Sequence, residues 1–220
     1  MHSHHRHAAA SADASTRGHL IHWARFYDPL VILLTLGRAS AMREEAADLA
    51  AIQPGESVLE VGCGTGELTR RARARAGSTA LVCGIDPAVE MIGVARDKSD
   101  RAKLGIDYRV AAIEALPFAD GTFDVVLSSL MMHHLPDDLK PVGLAEVRRV
   151  LKPGGRLLIV DMKRPSGLLS RLALPCMIHS DMQHAVQDLP PIIEAAGFAD
   201  VESGDTRSSF LGFVSARAPV

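Results

Sequence analysis

From Ser57 to Met162 short β-rich runs alternate with helix-forming runs, and this alternation constrains the fold more than any other feature. "SVLEV", "ALVCGID", "IDYRVA", "FDVVLSSL" and "RLLIVDM" read as strands. "GELTRRARARA", "PAVEMIGVARDKS" and "LAEVRRVL" read as helices, the second with Pro87 at its first turn and the third ended by a "KPGG" turn. Strands joined through helices pair in parallel, and the helices cover the sheet faces. After Leu189 the order changes: "LPPIIEAAGF" is helical, and "ADVESGDT" and "SFLGFVSARA" follow as two consecutive strands. The expected fold is therefore α/β, a Rossmann-like, mostly parallel seven-stranded sheet with helices on both faces and a C-terminal antiparallel hairpin.

Upstream lie two helical stretches, "HLIHWARFYDPLVILLTLG" and "RASAMREEAADLAAI", the latter stopped by "QPGE". The expected organisation is a His-rich tail over residues 1–18, a helical cap over 19–52 and one α/β domain over 53–220. The 220 residues suit a single core. With 47% hydrophobic and 23% charged residues the chain is globular, and a net charge of -2 offers no global attraction to nucleic acid or an anionic membrane. Cys63, Cys83 and Cys176 are odd in number and lack CxxC spacing, so a reducing compartment and no cysteine-held metal are expected. No apolar run is long enough to span a bilayer, and a cytoplasmic protein is expected.

The first strand runs into "VGCGTGE". In an open α/β sheet, ligands sit beyond the carboxyl ends of the strands, where this turn lies. Gly62, Gly64 and Gly66 form GxGxG, and the place where a dinucleotide fingerprint wants its third glycine holds Glu67. A carboxylate there suits the helix dipole but repels a pyrophosphate, and tolerates an ammonium or sulfonium. Asp86 ends the second strand, 20 residues after Gly66, placed to accept from both ribose hydroxyls or to cap the next helix. This spacing points to an adenosine-type ligand and does not by itself separate NAD from other adenosine cofactors.

"VLEVGCGTGELT", "GIDP", "EALPFADGTFDVVLSS" and "VLKPGGRLLIVD", in this order, resemble the class I S-adenosylmethionine-dependent methyltransferases over Val58 to Met162. "FYDPLVILLTLG" and "LLIVDMKRP" look most like the ubiquinone/menaquinone biosynthesis C-methyltransferase group. The resemblance implies S-adenosyl-L-methionine as cofactor, no metal, and in-line methyl transfer to a small, apolar or aromatic metabolite. It implies that Gly62, Gly64, Thr65 and Gly66 pack on the methionine and ribose, and that Asp86 binds the ribose. Pro87 and Met91 would form the adenine pocket, the Ile113 backbone would meet the adenine edge, and Ser129 would lie beside the sulfonium.

Two departures stand out. In "VAAIEALPF" the position where the family places an Asp or Asn acceptor for the adenine amino group is Ala112. In "SSLMMHHLPDD" the quinone-methylating group has an Arg-Asn pair where this chain has His133 and His134. One imidazole is a candidate to take a proton from the acceptor, or the pair orients the loop. Tyr27 and His133 are the candidate substrate-side residues.

The other features are plainer. Arg70, Arg71, Arg73 and Arg75 read as a solvated helix face, without the aromatic platform that RNA binding needs. The apolar segment from Gly167 to His184, with Cys176, Met177, His179 and Met182, is a candidate roof for an acceptor pocket together with the Trp23–Tyr27 helix, or an ordinary packed connection. A non-catalytic methyltransferase-like binding protein and an NAD(P)-dependent oxidoreductase remain alternatives. The expected partner is a small-molecule methyl acceptor, with no nucleic acid and no integral membrane contact.

Overall fold

The computed structural model describes residues 14–18, 24–164 and 185–220. The His-rich tail up to residue 13, Trp23 and the Gly167 to His184 segment with Cys176 lie outside these residues.

Seven strands form one sheet in the order β3-β2-β1-β4-β5-β7-β6. They are β1 (Val58–Val61), β2 (Val82–Asp86), β3 (Asp107–Val110), β4 (Phe123–Ser129), β5 (Leu151–Met162), β6 (Ala199–Asp205) and β7 (Leu211–Arg217). The pairings β1–β2, β1–β4, β2–β3 and β4–β5 are parallel, and β7 pairs antiparallel with both β5 and β6. Among the described residues the helices are α1 (Ala24–Leu34), α2 (Ala39–Leu49), α3 (Glu67–Ala76), α4 (Val89–Arg101), α5 (Leu139–Val150) and α6 (Leu189–Ala195).

Alternate strand residues feed two cores. Leu59, Val61, Ile85, Val126 and Ile159 pack with Leu144 and Val147 of α5 and Ile193 of α6. Val58, Val82, Val125, Leu127 and Leu158 pack with Ala46 and Ala47 of α2 and Leu68 and Ala72 of α3. All four residues of β1 are buried, as a central parallel strand with both faces covered requires. Among the described residues no helix is long and apolar enough to cross a membrane.

Three boundaries depart from the sequence reading. Pro87 precedes α4 rather than occupying its first turn, because Ala88 is the extended N-cap residue. Helix α5 starts at Leu139 and carries Pro141 in its first turn, where a missing N–H costs no helical bond. "KPGG" is not a turn before a strand but an excursion inside β5. Phe123 pairs with Leu151 and Val125 with Arg156, so the strand swells between these pairs.

The arginine run is not a solvated face either. Arg73 is buried and donates to the carbonyls of Gly77, Ala80 and Gly105 at 2.7–2.9 Å, tying the end of α3 to the loops before β2 and β3. Arg71 and Arg75 reach Glu44, and Arg75 also Asp48, clamping α3 to α2.

Candidate functional site

A cleft opens at the carboxyl ends of β1, β2, β3 and β4. Its wall includes Gly62, Gly64, Thr65, Asp86, Pro87, Met91, Ala112, Ile113, Ser129 and Tyr27. They come from five stretches of sequence, and the topology brings them to one place. Gly66 stands just behind the wall. It caps α3 with φ +80°, and a Cβ there would come within 2.4 Å of the Tyr108 hydroxyl oxygen. At Gly64 a Cβ would meet nothing within 4 Å, so bare backbone faces open space.

Asp86 does what helix capping asks and more. Its Oδ1 accepts from the Ala88 N–H and its Oδ2 from the Gly64 N–H, both at 2.9 Å. The carboxylate thus fixes the glycine turn to β2.

The Glu67 carboxylate does not stand alone. Burial raises its pKa, but hydrogen bonding and charge from Lys98, at 2.8 Å, and the charge of Arg70 hold it below the usual value. Arg70 and Arg71 approach it to 3.2 and 3.5 Å. Repulsion of a pyrophosphate by Glu67 is therefore weaker than the sequence suggested, since three cations offset it.

Four groups that matter were not singled out in the sequence. Glu60, in the middle of apolar β1, lines the cleft and is 3% exposed. Burial pushes its carboxyl up to about 8, opposed by the Thr69 hydroxyl, which donates to it, and by the charge of Arg43. A charged residue inside an otherwise apolar strand was the available signal. Asp28 of α1 accepts from Thr65 Oγ1 at 2.7 Å and from Lys98 Nζ at 2.5 Å, fastening α1 over the glycine turn. Arg43 stands 3.9 Å from the same carboxylate. Glu114 lies on the wall beside Ile113.

The two histidines divide differently from expectation. His133 is absent from the cleft wall: its Nδ1 is 2.6 Å from Oδ1 of buried Asp161, at the end of β5. Its backbone N–H donates to the other Asp161 oxygen at 3.2 Å. His134 takes the place on the wall, with its ring centroid 3.9 Å from that of His133. Adjacent residues in a single 3-10 turn, Met132–His134, face different ways, and sequence alone did not say which faced in. Just before this turn Leu130 lines the cleft with φ +54°, a strained conformation for a side chain branched beyond Cβ. Tyr27 of α1 reaches the cleft half-buried, and burial raises its phenol above the usual value.

The donor set fits an adenosine-bearing ligand with a cationic end: bare backbone at Gly64, a ribose-type carboxylate, a Met91 wall and a buried carboxyl at Glu60. Residues 58–155 match a family described as "Methyltransferase domain". The chain is 34% identical over 140 residues to a ubiquinone/menaquinone biosynthesis C-methyltransferase of Hydrogenovibrio crunogenus, aligning 63% of this chain with 54% of that one. It is 36% identical over 139 residues to a demethylmenaquinone methyltransferase of Thermus thermophilus, covering 63% and 62%. The match thus spans less than two thirds of either relative's length. A methyltransferase structure from Aquifex aeolicus, described as S-adenosylmethionine-dependent, shares the fold with a TM-score of 0.64 at 23% identity, over 80% of this chain and 89% of that one. Over residues 58–155 the chain is thus similar to a methyltransferase domain, and its sheet has the fold of the solved S-adenosylmethionine-dependent enzyme.

Proposed function

We propose that this chain is an S-adenosylmethionine-dependent methyltransferase for a small, apolar or aromatic acceptor of the quinone type. The observation that carries the reading is the convergence of four strand ends on one cleft, with Gly64 backbone, Asp86 carboxylate and the Ile113 turn on its wall. The relatives' names, which specify quinone methylation, support the acceptor class.

The cofactor supplies a methyl group already activated on a sulfonium, so the protein's work is alignment, exclusion of water and proton handling. Asp86 accepts from the ribose hydroxyls while holding the glycine turn. Pro87 and Met91 flank the base. Glu60, whose proton is held by burial, would release it beside a positive charge at the methionine end and so answer that charge. Thr65, held by Asp28, keeps α1 closed over that end and water out. Ser129 and Leu130 fix the backbone where acceptor and methyl group meet. For a hydroxylated ring, His134 takes the hydroxyl proton and raises the nucleophilicity of the ring carbon; after transfer the thioether leaves, the ring carbon gives up its own proton, and the hydroxyl is restored. His133, braced on Asp161, orients His134.

Calorimetry with S-adenosylmethionine, its demethylated product and NAD tests the reading. Saturable binding of the first two and none of NAD is expected. Binding of NAD alone overturns it in favour of an oxidoreductase, and binding of none favours a non-catalytic role. Transfer of labelled methyl into a demethylated naphthoquinol tests the acceptor.

A further inference from the structure

Helix spacing brings one cation to the cleft. Ala39, Met42 and Arg43 stand at positions i, i+3 and i+4 of α2 and line the wall together. Among the described residues Arg43 is the one lysine or arginine on that wall, which carries carboxylates at Glu60, Glu67, Asp86 and Glu114. Its side chain is 20% exposed, and its guanidinium makes no hydrogen bond among the described residues. Asp28, the one acid within ion-pair reach, stands 3.9 Å away. Both Asp28 oxygens are already engaged, one by Thr65 Oγ1 and the other by Lys98 Nζ. The acids of α2 itself are occupied elsewhere: Glu44 and Asp48 hold Arg75, and Glu45 accepts from the Arg207 N–H.

The Asp28–Thr65 bond sets this neighbourhood over the glycine turn, and the charge of Arg43 bears on Glu60, Glu67 and Tyr27. The cation therefore stands with the glycine turn and β1, the part of the cleft that the cofactor reading gives to the methionine end. That end of the ligand carries a carboxylate and an ammonium. A guanidinium donates two parallel N–H bonds to a carboxylate, and a carboxylate answers an ammonium. Arg43 and Glu60 offer both charges on one stretch of wall. A ligand that fills this end with no acceptor for Arg43 strips water from a charge without compensation. We infer that Arg43 binds the carboxylate of the cofactor's methionine end and makes the site selective for amino-acid-bearing over decarboxylated adenosyl ligands. This rests on the cofactor reading above.

The test is calorimetric titration with S-adenosylhomocysteine and with its decarboxylated counterpart, which keeps the ammonium, ribose and base; no turnover is needed. The unaltered chain prefers S-adenosylhomocysteine by about tenfold or more, as for hydrogen bonds between charged groups. Arg43→Ala binds S-adenosylhomocysteine about 10–100-fold more weakly. It leaves the decarboxylated ligand unchanged or tighter, because a cation near the ammonium is gone, so the preference collapses. Arg43→Lys keeps the charge, loses the two-pronged geometry and retains part of the preference. Equal binding of the two ligands by the unaltered chain overturns the assignment while leaving the cofactor reading standing. So does unchanged S-adenosylhomocysteine binding by Arg43→Ala, or equal weakening of both ligands. No binding of S-adenosylhomocysteine by the unaltered chain overturns both.

Discussion

The glycine-turn wall of the cleft and the β4 wall are held in place by different means. Around Gly62–Gly66 the groups that face the cleft are mostly backbone, pinned by Asp86, Thr65 and the packing of Tyr108 under Gly66. Beyond β4 the wall is made by side chains such as His134 on a single 3-10 turn, while Tyr27 enters from α1, a helix with a largely exposed outer face packed near Met91. Phe26, Leu33 and Leu36 of that region are 70% exposed or more, so packing contributes little there. A backbone-built wall resists drift because few substitutions remove it. A side-chain wall can be rewritten one residue at a time. Under the proposed function, cofactor recognition falls on the first wall and acceptor chemistry on the second.

Changes on the two walls should therefore fail in different ways. The largest effect is expected at Gly66→Ala, which forces a Cβ onto Tyr108 at positive φ. It should cost about 2–4 kcal/mol of folding stability, read as a lowered urea midpoint. An unchanged midpoint would show the glycine wall to be slack. Asp86→Ala should weaken S-adenosylhomocysteine binding by about 1.5–3 kcal/mol in calorimetry, as for a hydrogen-bonded charge. A folded variant with the same dissociation constant removes Asp86 from the site.

Glu60→Gln sharpens the same wall through pH. The folded carboxyl, raised to about 8 by burial, binds its proton more tightly than in the unfolded chain. Between the unfolded value and about 8 the folded state thus holds more protons, and Glu60 makes stability fall as pH rises through that window. The Gln variant should flatten this slope, by about 1–3 kcal/mol across the window. Parallel slopes for the two proteins would contradict it. On the other wall, His134→Gln should lower kcat by about 10–100-fold while leaving S-adenosylhomocysteine affinity unchanged. A joint loss of affinity and rate would blur the division between the walls.

What was readable in the sequence was local. The strands show because buried parallel strands need unbroken runs such as "LVCGID", and the glycine turn and Asp86 because spacing along the chain fixes them. What escaped depends on partners distant in sequence. Arg73 looked like one of four surface arginines until three carbonyls, the furthest 32 residues away, surrounded it. Glu60 is explained only by Thr69 on the helix above, and His133 only by Asp161, 28 residues on. The identity of the inward histidine was beyond spacing arguments, since both lie in one turn.

The position of β7 also bears on how the chain is made. The cleft's strands β1 to β4 pair in parallel, β1 to β3 through the helices α3 and α4, so that half can assemble as the chain leaves the ribosome. β5 keeps an open hydrogen-bonding edge until β7, which follows both β5 and β6 in the chain, inserts between them. The nascent protein therefore passes through a stage in which the cofactor half is shaped while the β5 edge lies bare to other chains. Chaperone demand and aggregation during synthesis should fall on that edge, whose carboxyl end also carries Val160 at the cleft and Asp161, the partner of His133.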